Sequence, residues 1–470
     1  MSRFLFVLGS NWRLSIAELD HLLKYSRYKG RIIDYSANIA IVEFENIEEN
    51  EYYINVLQEI QYKLGGCLKI GKIYDFLNIS LIKEAFPKNI KKFSLVEKSR
   101  KRILQVLDNI LTGKRNKMFP KVYENFFFAV SIYPNFFDEE YYKEILVKHF
   151  LPFLNKKITK ILKKKGAEKV IYFKYPAKNL KSGNLNPIFP HHLIQYDLFK
   201  PNRGDIIFGF TEEGVYIGRT FTTDNPNFKK KLDEERPSKE FKSSIPPKLA
   251  KIMLNFLNIY HTRHNHRILD PFVGNGTILM FALMQDFRVY GSDIDNEKVQ
   301  NTIKNLNWLV NQIEMEEKPK FSQLVRNVGI ENLSTEFEAQ YFDGICTEPS
   351  LGPYYTEKPY YPQAEELRKE KLKPLYETIF QQANYLLKPG HRIVIISPII
   401  HTIDGGELQL NIRKIAEKNG FIQIPLLDER RLINKSNRRL QFDKSHYYSM
   451  IDAKEGQVIS RKIFTFEKKE

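Results

Sequence analysis

Asp270-Pro271-Phe272-Val273-Gly274-Asn275-Gly276-Thr277 is the stretch that decides the fold. Before it, Arg267-Ile268-Leu269 reads as a short strand that ends on the acid Asp270; after it, the apolar residues 278–284 read as a helix. A glycine-containing loop between strand and helix lets a ligand approach the backbone, and the helix N-terminus beyond it favours an anionic group. A dinucleotide loop would carry Gly-x-Gly-x-x-Gly and hold a pyrophosphate. Here the loop has two glycines, Gly274 and Gly276, and a carboxylate at Asp270 would repel a pyrophosphate. A nicotinamide dehydrogenase is disfavoured on that ground, and a ligand carrying an ammonium group is favoured.

From the loop towards the C-terminus, short apolar strands alternate with helices, the pattern of a doubly wound α/β domain. Arg288-Val289-Tyr290-Gly291-Ser292-Asp293 is a second strand ending in an acid, about twenty residues after the loop, as expected for a carboxylate accepting from ribose hydroxyls. Asp293 is favoured for that role; Asp295 reads as a cap of the next helix or as a ligand contact, with capping favoured. Ammonium, carboxylate and ribose together describe S-adenosylmethionine. Phe342-Asp343-Gly344-Ile345-Cys346-Thr347 is a third strand, and it runs into Glu348-Pro349-Ser350-Leu351-Gly352-Pro353. Ligands of α/β sheets lie at the carboxyl ends of strands, so this loop would face the reacting group. Glu348 would accept from an exocyclic amine of a base and Pro349 would add a carbonyl, a catalysis of positioning. Tyr354, Tyr355, Tyr360 and Tyr361 would stack on the base, unless the segment is only a rigid Pro-rich turn. Residues 391–397 read as a later strand, and 420–467 as the source of the last two strands, paired as a hairpin.

Towards the N-terminus, residues 4–8 read as a strand, and Ser15 with Glu18 have the spacing of a capping box opening a helix. Residues 31–34 and 39–44 read as strands of the same small α+β unit. Lys156, Lys157, Lys160, Lys163, Lys164 and Lys165 crowd one predicted helix, and positions 156, 160, 163 and 164 share a face. That face is either phosphate-binding or merely solvated. The same two readings apply to Arg430, Arg431, Lys435, Arg438 and Arg439. Strands at 205–210 and 215–220 precede a polar linker, and an amphipathic helix at 247–258 opens the last domain.

Lys and Arg number 73 against 56 Asp and Glu, a net charge of +17, which makes nucleic acid the natural partner and an anionic membrane surface the second. A hydrophobic content of 42% indicates a folded chain. The cysteines Cys67 and Cys346 lie far apart, which excludes a disulfide framework, and the histidines show no metal-ligand spacing, so no metal is expected. The opening residues lack the apolar core of a signal peptide, and no run of about 18 apolar residues is present. A cytoplasmic protein with no membrane partner is the expectation.

On these residues the chain resembles the THUMP-domain RNA methyltransferases, in particular the tRNA guanosine-10 N2-methyltransferases. Phe4-Leu5-Phe6-Val7-Leu8-Gly9 with Leu14-Ser15-Ile16-Ala17-Glu18-Leu19 is similar to the start of that family, and the stretch from Gly166 through Asn184-Leu185-Asn186-Pro187 to Phe208 to the second half of a THUMP domain. The stretches at 270–277 and 291–295 resemble its cofactor motifs. The resemblance implies an α/β protein with an N-terminal ferredoxin-like domain (1–60), a THUMP domain (61–220) gripping the tRNA acceptor region, a linker (221–246) and a Rossmann-like seven-stranded methyltransferase domain (247–470). It implies S-adenosylmethionine-dependent methylation of a guanosine N2 amino group in tRNA; the alternatives are a DNA amino-methyltransferase and a catalytically silent RNA-binding protein. The candidate catalytic residues are Glu348, Pro349 and Tyr354, and those for the cofactor are Asp270, Phe272, Gly274, Gly276, Thr277, Asp293 and Ile294. Lys160, Lys163, Lys164 and Asn184 are the candidates for RNA, and a small activator protein of unknown identity is left open. The chain departs from the family's Asp-Pro-Pro-Tyr (or Phe) motif at Glu348, Ser350 and Leu351. It also offers Gly329, with Glu331 nearby, where an Asp for the adenine amino group is expected.

Overall fold

Phe4-Leu5-Phe6-Val7 is apolar at every position, so the strand it forms needs cover on both faces. In the computed structural model, which describes residues 2–47, 52–89, 92–113, 117–134, 142–174, 188–239, 244–259, 266–454 and 456–470, it has that cover. Phe4 and Phe6 enter one core cluster and Leu5 and Val7 another. This strand, β1 (Ser2–Leu8), lies inside a sheet with β2 (Gly30–Tyr35), β3 (Ile39–Phe44), β4 (Cys67–Asn78), β5 (Asn125–Tyr133), β6 (Lys169–Tyr172), β7 (Arg203–Phe210) and β8 (Gly214–Thr223). The order is β2-β3-β1-β4-β8-β7-β5-β6, antiparallel from β2 to β7 and parallel from β7 to β6. Because β4 pairs with β1 on one edge and β8 on the other, the chain on either side of residue 60 contributes to one sheet.

The helix after β1 starts earlier than Ser15 suggests. It spans Trp12–Tyr25, and the Asn11 side chain caps it by accepting from Leu14 N. Glu18 therefore falls within the helix and is fully buried, so it has no part in a capping box. Its carboxylate accepts from Gly65 N and Gly66 N, each at 2.8 Å, and from Asn255 Nδ2 at 2.6 Å. Asn255 ends the helix Pro247–Asn255, so this one buried acid joins the first sheet to the second domain. Gly65 allows the approach: a Cβ there would lie 2.5 Å from Lys248 O.

The stretch between the two sheets, expected as a linker, contains the helix Pro226–Glu234. The second sheet comprises β9 (Arg267–Asp270), β10 (Arg288–Asp293), β11 (Val325–Asn327), β12 (Phe342–Thr347), β13 (Leu387–His401), β14 (Glu407–Gln409), β15 (Phe421–Gln423), β16 (Ser449–Asp452) and β17 (Ile459–Lys468). Seven strands run β11-β10-β9-β12-β13-β17-β15, while β14 and β16 pair with β13 and β17. The first five are parallel and β17 is antiparallel to both its neighbours, a Rossmann-like α/β sheet. The chain leaves β9 for β10 and β11, then returns to β12 on the other side of β9. That reversal makes the carboxyl ends of β9 and β12 the switch point where such sheets bind ligands.

The last two strands, β16 and β17, pair antiparallel as the expected hairpin, and β15 pairs with β17 as well. Between β15 and β16 the chain reaches back to the first sheet's domain. There Lys435 and Asp34 form a pair whose side chains are 2% and 3% exposed, Arg431 Nε lies 2.8 Å from Asp20 Oδ1, and Lys24 lies 3.0 Å from Asp428. Lys435 is thus buried inside the molecule and Arg431 is paired with Asp20 while 27% exposed, whereas Arg430 is 88% exposed. One continuous apolar cluster runs from Phe4 and Leu22 through Met253 to Leu279 and Ile463. Among the described residues no helix is long and apolar enough to cross a membrane.

Candidate active site

The carboxyl ends of β9, β10 and β12 open onto one cleft of ≈970 Å³. Asp270, at the end of β9, is 1% exposed. Its Oδ1 accepts from Thr347 Oγ1 at 2.7 Å and from Phe272 N at 3.1 Å. Burial is the largest influence on it and raises its pKa to about 7 despite those bonds, with Asp293 and Glu348 adding to the rise. A buried, destabilised carboxylate on the wall of a cleft is suited to a cationic ligand.

Asp293, at the end of β10, fixes the loop opposite. Its Oδ2 accepts from Gly274 N and its Oδ1 from Asp295 N, both at 3.0 Å. Asp295 caps the helix Asn296–Gln312 by accepting from Glu297 N at 2.8 Å. Gly274 has φ +51° and a Cβ there would meet nothing within 4 Å, so its missing side chain leaves part of the cleft open. Gly276 does something else. With φ +80° it precedes the helix Thr277–Met284, and a Cβ would lie 2.9 Å from Thr302 Cγ2, on the far side from the cleft; Gly276 is not a lining residue. Phe272, Thr277 and Asp293 line the cleft, and Ile294, 75% exposed, stands at its rim.

At the end of β12, Glu348 and Pro349 line the cleft together with Ser350, Leu351, Tyr354 and Tyr355. Tyr354 is 70% exposed. Glu348 is bound by Arg461 of β17, with Nε 2.5 Å from Oε1 and Nη2 3.5 Å from Oε2. Burial pushes the Glu348 carboxyl up and Arg461 opposes that shift. Gly329 and Glu331 lie outside the cleft lining; a Cβ on Gly329 would lie 2.4 Å from Glu331 Oε1. Asn327, likewise outside the lining, donates through Nδ2 to the carbonyls of Asp293 and Ile294, at 3.0 and 2.9 Å.

Sequence reasoning missed several residues here. Arg461 follows β12 by more than a hundred positions and carries no motif. Ser244 and Ile245, in the stretch expected as a linker, line the cleft too. Arg236 Nη1 donates to Thr277 Oγ1 at 3.0 Å, and Asn305 donates to both Ser238 O and Asn275 O at 2.9 Å. The linker is thereby tied to the glycine loop. Lys160, Lys163 and Lys164 are exposed on the helix Leu151–Lys164, away from the cleft lining, and Asn184 lies outside the described residues.

The residues fit S-adenosylmethionine. Asp270 provides a buried anion for an ammonium group, the helix start at Thr277 provides unsatisfied N–H groups for a carboxylate, and the bare Cα of Gly274 leaves room between them.

No family model matches the chain. It is similar to the tRNA (guanine(10)-N2)-dimethyltransferase of Pyrococcus abyssi, with 29% identity over 137 residues that cover 29% of this chain and 36% of that one. It is also similar to the tRNA (guanine(10)-N2)-dimethyltransferase of Methanothermobacter thermautotrophicus, with 40% identity over 81 residues, 17% of this chain and 23% of the relative. The chain therefore spans about a third of the first relative's length (36%) and about a quarter of the second's (23%). Among solved structures, TrmN from Thermus thermophilus aligns with a TM-score of 0.49 at 14% identity, covering 99% of both chains.

Proposed function

We propose that this protein is an S-adenosylmethionine-dependent RNA methyltransferase acting on the N2 amino group of a guanosine in tRNA. The observation that carries the reading is the convergence of Asp270, Asp293 and Glu348-Pro349, from three strand ends, on one cleft. S-adenosylmethionine supplies an electrophilic methyl group on a sulfonium. Asp270 would hold the ammonium group, Asp293 the ribose hydroxyls, and the N–H groups around Thr277 the carboxylate. Glu348 and the Pro349 carbonyl would accept hydrogen bonds from the target amine and so direct its lone pair, with Tyr354 and Tyr355 available to stack on the base. The curated relatives are named as tRNA guanine N2-dimethyltransferases, which favours tRNA over DNA as substrate. The first sheet's domain is proposed as a THUMP-containing, tRNA-gripping part, with Lys160, Lys163 and Lys164 touching phosphates, and the cytoplasm as the site of action.

Incubating the protein with methyl-labelled cofactor and either total tRNA or DNA tests this. Label is expected in tRNA, recovered as N2-methylated guanosine; label in DNA alone overturns the choice of substrate. Calorimetry with S-adenosylmethionine separates an enzyme, which binds it, from a silent RNA-binding protein.

A further inference from the structure

We propose that Arg461 is the positioning residue of the methyl-transfer site: its guanidinium engages Oε1 of Glu348 and leaves Oε2 to accept from the target amine. The inference rests on the methyltransferase reading above and adds to it a residue on a different strand, far away in sequence.

Three observations carry it. The Nε–Oε1 distance is 2.5 Å while the Nη2–Oε2 contact is 3.5 Å, so the two oxygens are unequally engaged. The side chains are 14% and 11% exposed, and both residues line the cleft. Arg461 also stands on rigid ground. Near the start of β17 it faces Pro398 of β13 across one ladder and Asp452 of β16 across the other. A group held by a sheet in this way is more tightly oriented than one held by a loop.

The chemistry explains why Glu348 needs such a partner. Glutamate has one more rotatable bond than aspartate, so a carboxylate on that longer arm is less well placed unless something holds it. A guanidinium does so with a planar, permanently charged fork. Burial also disfavours the charged form of Glu348, and the groups facing it add to that. Asp452 on β16 pushes its proton affinity up, while Glu348 in turn raises the proton affinity of Asp270 on β9 and of the Tyr376 phenol on the helix Lys373–Leu386. Arg461 is the cation that opposes them. With the pair intact, the guanidinium favours the charged, accepting form of Glu348.

Arg461→Met and Arg461→Lys, made in the full chain, test the proposal. Removing the charge is expected to lower kcat by roughly 100-fold at neutral pH, the scale of a lost positioning contact, with KM for cofactor and tRNA within about twofold. The acid limb of the kcat–pH profile is expected to move to higher pH in Arg461→Met and to return in Arg461→Lys, which restores the charge but only part of kcat. Full activity in Arg461→Met, or an equal loss at every pH with the limb unmoved, overturns the proposal. Melting curves of both variants separate misfolding from loss of position. If the wild-type protein methylates neither RNA nor DNA, the methyltransferase reading itself falls. The pair is then judged by a 13C carboxyl titration of Glu348, for which an upward move in Arg461→Met supports it and an unchanged titration refutes it.

Discussion

Asp270 carries two opposed demands. Its pKa, raised to about 7 by burial, lies above the ordinary carboxylate range. As pH rises from the unfolded-chain value of about 4 towards 7, the unfolded chain gives up its proton before the folded one does. Stability therefore falls across that window, and the full cost remains above it. An amide at this position keeps the Oδ1 that accepts from Thr347 and Phe272 and removes the charge. Asp270→Asn is therefore expected to melt higher than wild type at pH 8 and at nearly the same temperature at pH 4, as scanning calorimetry would read. The same change should weaken S-adenosylmethionine binding roughly 10- to 100-fold, the scale of a hydrogen bond to a charged group. Wild-type binding should itself weaken as pH falls below about 7.

The glycine loop shows how one element divides its work between two similar residues. Both have positive φ, but Gly274 borders open space and Gly276 borders Thr302, whose Oγ1 also donates to the Gly274 carbonyl at 2.8 Å. Gly274→Ala incurs the left-handed backbone penalty of about 1–2 kcal/mol and puts a methyl group in the cleft. Gly276→Ala incurs the same penalty plus a steric conflict with Thr302, for a total of roughly 2–5 kcal/mol. Thermal melts should thus rank Gly276→Ala as the less stable variant. Titration with S-adenosylmethionine should single out Gly274→Ala as the variant whose remaining folded fraction binds more weakly. The reverse ranking would mean that Gly276, not Gly274, faces the ligand.

Across the whole molecule, the segment between β15 and β17 and the linker decide how the two sheets are joined. Lys435 is buried against Asp34, whose carboxylate also accepts from Tyr35 N and Tyr216 OH. Lys435→Met leaves that acid buried without its cation and should cost about 3–5 kcal/mol. Adding Asp34→Asn should recover most of the loss. A single variant as stable as wild type in denaturant titration would show that the segment contributes little to holding the domains together. Arg236 donates to Thr277 and Ser238 is tied through Asn305 to Asn275, so a shift of the stretch between the sheets would be felt at the cleft.

The sequence by itself determined the local elements of the second sheet that border the cleft. Strand ends at Asp270, Asp293 and Thr347, the loop with its two glycines and the helix after it all follow from short-range pattern, because each depends on residues a few positions apart. It also indicated the capping role of Asp295, which lines the cleft together with Asp293. Tertiary structure alone decided what required distant chain to meet. Glu18 reads as a capping residue until Gly65, Gly66 and Asn255 are seen to close on it. Lys435 and Arg431 read as a surface patch until the chain folds them onto Asp34 and Asp20. Arg461 has no signature at all, since nothing local distinguishes an arginine in an edge-to-centre strand from one in solvent. What gives it a role is the antiparallel insertion of β17 beside β13, which brings it to a glutamate 113 positions away.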